Sequence, residues 1–109
     1  MRVICGSIEE FMGELAAEAS ADRVFRKIVR LRIERIPEQE EQVSFQVAVM
    51  ASVLIGGDRP EEMLEFTGFA GRDAHREDGT RTAQSWQKQI QGLCKTHGLT
   101  LRRGKWEIA

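Results

Sequence analysis

The run from Val43 to Ile55 constrains this chain more than any other stretch. Val43, Phe45, Val47 and Val49 alternate with Ser44 and Gln46, a two-residue period that sends successive side chains to opposite faces of a strand. Val53 and Ile55 extend it with β-branched side chains, which suit a pleated surface better than a helix. Ala48, Met50 and Leu54 make the second face apolar as well, so the far end is expected to be covered on both sides. Drawn out straight, the run would span roughly 43 Å at about 3.3 Å per residue. A chain of this size has an expected radius of gyration of about 13 Å and a width of about 35 Å. The strand is therefore expected to bend, to bulge near Ala51 and Ser52, or to run out against a second subunit.

A second alternating run precedes it. Val29, Leu31 and Ile33 are interleaved with Arg30, Arg32 and Glu34, and the polar segment Pro37 to Gln42 joins the two runs as an antiparallel hairpin. Arg2 to Cys5 reads as a short strand. Ser7 and Glu10 then form a capping box ahead of the stripe Ile8, Phe11, Met12, Leu15, Ala16 and Ala19, a helix ending near Ala19.

Gly56 and Gly57 end the long run, and Asp58 and Glu61 have the spacing of a second capping pair. Met63, Leu64 and Phe66 predict a short helix stopped by Gly68, and Phe69 to Gly79 reads as irregular. A stronger helix is expected from about Thr82, carrying Ala83, Trp86, Ile90, Leu93, Cys94 and His97 to a left-handed cap at Gly98. The tail Leu99 to Ile108 fits either a hairpin turning at Arg103 and Gly104 or one strand.

These elements predict one α+β domain over residues 1–109, a single layer of mostly antiparallel sheet in β-α-β-β-α-α-β order with its helices on one face. The order resembles the split βαβ, ferredoxin-like arrangement, an analogy of architecture that carries no function. The alternative is a C-terminal winged helix-turn-helix. There 43–55 is a buried helix, Asp58 to Thr67 the second, Thr82 to His97 the recognition helix and Leu99 to Ile108 the wing. Against it, the joint between its last two helices should take about three or four residues, and Gly68 to Thr82 is far longer.

Charge narrows the partners. Sixteen Lys and Arg nearly cancel 17 Asp and Glu, for a formal net charge of -1, which argues against a histone-like protein or a polybasic membrane binder. The longest apolar run, Val47 to Ile55, is about half of what a membrane span needs, and Met1 to Gly6 lacks the apolar stretch of a signal peptide. Cys5 and Cys94 are far apart with no C-x-x-C spacing, so reduced buried thiols in a cytoplasmic protein are expected.

No catalytic motif stands out. In the polar cluster Arg72 to Gly79, the residues Asp73, His75, Glu77 and Asp78 offer ligand or acid–base chemistry, but their spacing matches no calcium loop and reads more simply as a solvated loop. Cys94 and His97 share a helix face that turns inward, and His97 suits the negative end of the helix dipole. No metal, cofactor or catalytic residue is assigned.

Two surfaces remain. Arg23, Arg26, Lys27, Arg30 and Arg32, with Lys95, Arg102, Arg103 and Lys105, would form a nucleic-acid-binding stripe if both groups lie on one side of the sheet. The apolar excess of the long strand, with Phe69, Met50 and Met63, points instead to self-association, the strand pairing with its twin at a sheet edge. The reading is a small non-enzymatic interaction module, homodimeric, with an unidentified protein partner. Nucleic-acid binding is the alternative.

Overall fold

A computed structural model describes residues 2–38, 44–56, 62–74 and 77–104. The chain runs β1 (Arg2–Cys5), α1 (Ile8–Ser20), β2 (Val24–Pro37), β3 (Phe45–Ile55), β4 (Met63–Asp73), α2 (Asp78–His97) and β5 (Thr100–Arg103). The strands form one five-stranded sheet in the order β1-β4-β3-β2-β5. β3 is antiparallel to β2 and to β4, whereas β1 runs parallel to β4 and β5 parallel to β2. The sheet is thus mixed rather than mostly antiparallel, because both helical connections return the chain in the direction it left.

Local rules account for the ends of the elements. Ser7 Oγ accepts the Glu10 N–H at 3.1 Å, and Glu10 Oε2 accepts the Gly6 N–H at 2.9 Å, so the expected capping box closes one residue further back than its usual partner. α1 buries Ile8, Phe11 and Leu15. α2 ends at Gly98, whose φ of 68° is the left-handed cap the sequence calls for. The hairpin between β2 and β3 is present up to Glu38, whose N–H donates to the Ser44 carbonyl at 3.0 Å.

β4 overturns the short helix expected at Met63 to Phe66. Leu64 and Phe66 recur at a spacing of two and are buried, while β4 is hydrogen-bonded between β1 and β3. Pairing on both edges with a buried face outweighs a two-turn helix that has nothing to pack against. The strand continues through Phe69 to Asp73, where irregular chain was expected, with a register shift opposite Val47 and Ala48. The winged-helix alternative fails for the same reason, since residues 45–55 and 63–73 are strands. So does the proposed element order, because the first of the two consecutive helices is β4.

β3 is the middle strand, not an edge available to a twin. Its length is absorbed by an elongated molecule of 46 × 26 × 21 Å, with a radius of gyration of 14.6 Å. Irregularities lie opposite its two ends, at the shift in β4 and in β2 between Val24 and Val29, and not at Ala51 and Ser52.

Both helices lie on one face of the sheet. Val47, Val49, Ala51, Val53 and Ile55 of β3 join Val29, Leu31, Leu64 and Phe66 beneath Phe11, Leu15, Ala83, Ile90 and Cys94. Phe66 stands where the helices meet, 6.2 Å from the Phe11 ring and 5.8 Å, edge-on, from Trp86. Gly79 lets α2 press onto β4: a Cβ there would lie 2.7 Å from the Gly71 carbonyl carbon. Among the described residues no helix is long and apolar enough to cross a membrane.

Candidate binding face

The outward residues of each strand follow from the inward ones. With Val29 and Leu31 facing the helices, alternation turns Arg30, Arg32, Glu34 and Ile36 the other way. With Leu64 and Phe66 inward, Met63, Glu65, Thr67 and Phe69 face outward, beside Ala48, Met50, Ser52 and Leu54 of β3. No described helix covers this second face. Three of its apolar side chains are exposed: Ile4 at 73%, Phe69 at 65% and Ile36 at 40%. Met50, Leu54 and Met63 between them are half-buried.

Among the described residues no helix covers β3 on this face, yet its outward Ala48 and Ser52 are buried, Ser52 at only 2% exposure. Its neighbours across the strands, Arg30 and Glu65, are much longer. The small residues Ala48 and Ser52 lie low between longer side chains, alternating along β3 with the half-buried Met50 and Leu54.

Charged side chains flank β3 on this face. Arg2 forks onto Glu65, with its Nη2 2.6 Å from Oε2 and 2.8 Å from Oε1, and Arg32 Nη2 lies 3.0 Å from Glu34 Oε1. β5 sets Arg102 directly beside Arg30. Of the basic residues singled out above, the structure brings Arg30, Arg32 and Arg102 together on the open face.

The others are dispersed. Arg103 pairs with Leu31 and so turns to the helix side, and Lys95 is exposed in the last turn of α2. Arg23, Arg26 and Lys27 border a shallow hollow with Asp22, Phe25 and Gly56, where β2 buckles: Arg26 and Lys27 have φ of 54° and 57°, left-handed values that non-glycine residues seldom adopt. Arg23 Nε pairs with Glu18 at 3.4 Å, and the Arg26 guanidinium stacks 5.1 Å over the Phe25 ring. Among the described residues, Arg23, Arg26, Lys27, Lys95 and Arg103 thus lie apart from the Arg30, Arg32 and Arg102 corner.

The polar cluster around Asp73 has a structural occupation. Asp73 is buried and accepts the Thr80 N–H at 3.0 Å and the Thr80 hydroxyl, with Arg35 Nε 3.4 Å away. The Thr80 hydroxyl bond first, then its backbone bond and the Arg35 charge, hold the carboxyl below its ordinary range against the opposing effect of burial. Glu77, at the N-cap of α2, makes no side-chain capping bond, so Asp73 serves the helix start in its place.

Among the described residues no group of three His, Cys, Asp or Glu is placed to hold a metal ion. Cys5 and Cys94 are buried free thiols, and burial pushes Cys94 up to about 11, far from a reactive thiolate. Several sequence features lie outside the described residues: most of the turn at 39–43, the pair Asp58 and Glu61, His75, Lys105, and the Trp106 to Ile108 half of the tail.

The open face was hidden by the misread helix. Once 63–73 is a strand, Glu65, Thr67 and Phe69 fall on it at a spacing of two, and Ile4 and Ile36 join them through strand pairing that no local pattern encodes. No protein-family model matches the chain, and neither the curated proteins nor the solved structures compared with it give a match. Function is therefore argued from the face itself.

Proposed function

We propose that this chain is a non-enzymatic binding module whose working surface is the helix-free face of its sheet. The observation that carries the reading is the exposure of Ile4, Ile36 and Phe69 on the same face as Met50, Met63 and Leu54. Isolated exposed apolar residues are ordinary, but several on one face, with charged side chains among them, have the composition of a protein-docking surface. The partner is accordingly a protein with apolar side chains at its contact, held by burial and oriented by the charges beside β3.

A second reading has its own observation. Arg30 and Arg102 are register partners with Arg32 beside them, a basic corner that suits a phosphate backbone, and Phe69 offers a ring to stack on.

Two titrations separate the readings. A neutral fluorescent dye that reports apolar surface is added to dilute wild type and to Met50→Asp, and mixed-sequence single- and double-stranded oligonucleotides are run in mobility shifts across a salt series. Dye binding lost in Met50→Asp, with no shift of the oligonucleotides, supports protein docking. A shift that weakens steeply with salt and disappears in Arg32→Glu/Arg102→Glu replaces that reading with nucleic-acid binding.

A further inference from the structure

We infer that the partner seated on the open face is a second copy of this chain, stacked face to face about a two-fold axis that runs along β3. The inference rests on the docking surface proposed above and commits it to one occupant.

Position comes first. β3 has two strands on either side, and its outward residues Leu54, Ser52, Met50 and Ala48 run down the middle of the open face. A two-fold axis along that strand sets each of these residues opposite its own copy. The contact on the axis is then small or flexible and apolar apart from Ser52, as an isologous interface needs. Methionine at the centre adapts its shape to a twin.

Charge selects this axis over the other in-plane one. The row that crosses the sheet through Ser52 reads Ile4, Glu65, Ser52, Arg30, Arg102. Rotation about β3 lays the β2 and β5 half of one copy over the β4 and β1 half of the other, so Glu65 meets the second copy's Arg30 and Arg102 meets its Ile4. An axis across the strands would instead lay β2 over β2 and β5 over β5, so Arg30, Arg32 and Arg102 would face the strands that carry the same residues, and like charges in apposition oppose binding.

The area suffices. At about 3.3 Å along each strand and about 4.8 Å between strands, the open face projects on the order of 600 Å² before side-chain relief is added. A standard-size interface buries about 800 Å² per partner.

Light scattering after size exclusion, over a dilution series and at low and moderate salt, tests the inference. Wild type should show twice the 12.4 kDa chain mass. Met50→Asp should show the single mass with an unchanged circular dichroism spectrum. Glu65→Arg should weaken the dimer about tenfold, and Glu65→Arg/Arg30→Glu should recover it, a rescue that a merely structural role would not give.

A wild type that stays at 12.4 kDa at the highest concentration overturns the second copy. If it still binds the apolar dye through Met50, the docking face stands with another occupant. A dimer unaffected by Met50→Asp and by Phe69→Asp overturns both the dimer geometry and the docking face.

Discussion

The Asp73 carboxylate receives both the backbone N–H and the hydroxyl of Thr80, and so binds the last residue of β4 to the first turn of α2. The helix gains a capping acceptor from another element while its own N-cap residue contributes none. This junction also holds Arg35, whose guanidinium stacks 4.4 Å over the Phe45 ring. One carboxylate thus ties the start of α2 to the end of β4.

Replacing Asp73 by Ala should lower the thermal midpoint at neutral pH and loosen the start of α2, seen as faster amide exchange at Thr80 and Arg81. The effect has a pH signature. A carboxyl whose folded pKa lies below the ordinary 3.8 contributes stability that is present above that value and is lost as pH falls through the lower folded pKa. The gap between wild type and Asp73→Ala should therefore be full at neutral pH and close below pH 3.8. A gap independent of pH would show that the charge has no part in it.

Cys94 acts at the other end of the scale. Its folded pKa of about 11 exceeds the ordinary 9.0, so the unfolded chain gives up this proton first as pH rises. Its contribution is complete below pH 9.0 and is lost as pH climbs to about 11. Denaturant titrations should show wild type losing of order 2 kcal/mol more than Cys94→Ala over that interval. Parallel curves for the two proteins would refute the burial that raises the thiol.

Phe66 and Phe69 lie three residues apart on β4 and face opposite ways. Phe66 is packed between the helices, so Phe66→Ala should cost about 3–5 kcal/mol in chemical unfolding. Phe69 is 65% exposed, and Phe69→Ala should change monomer stability by no more than about 0.5 kcal/mol when measured at high dilution. Similar losses at the two positions would contradict the assignment of the faces.

How much of this was legible follows from how local each signal is. The capping box at Ser7, the alternation of β2 and β3 and the glycine cap at Gly98 are encoded within a few residues, and each appears where the sequence puts it. β4 is not legible locally because Met63, Leu64 and Phe66 fit both periods, and only pairing with β1 and β3 decides between them. The same pairing creates the open face, which joins Ile4, Glu65 and Arg30 from separate parts of the sequence. Arg30 and Arg32 were placed together by their spacing of two. Arg102 joins them only through the parallel register of β5, and that register turns Arg103 away. Asp73 attracted attention as a polar residue in a polar cluster, but its role depends on the approach of α2, which no spacing announces.

The most direct test of the account is hydroxyl-radical footprinting of wild type at low and high concentration, read at Met50, Met63 and Phe69, with Met12 of α1 as the internal control. The account predicts that all three open-face residues label readily when dilute and become protected together on concentration, while Met12 does not change. Labelling of Met50, Met63 and Phe69 that stays constant across the series would contradict it.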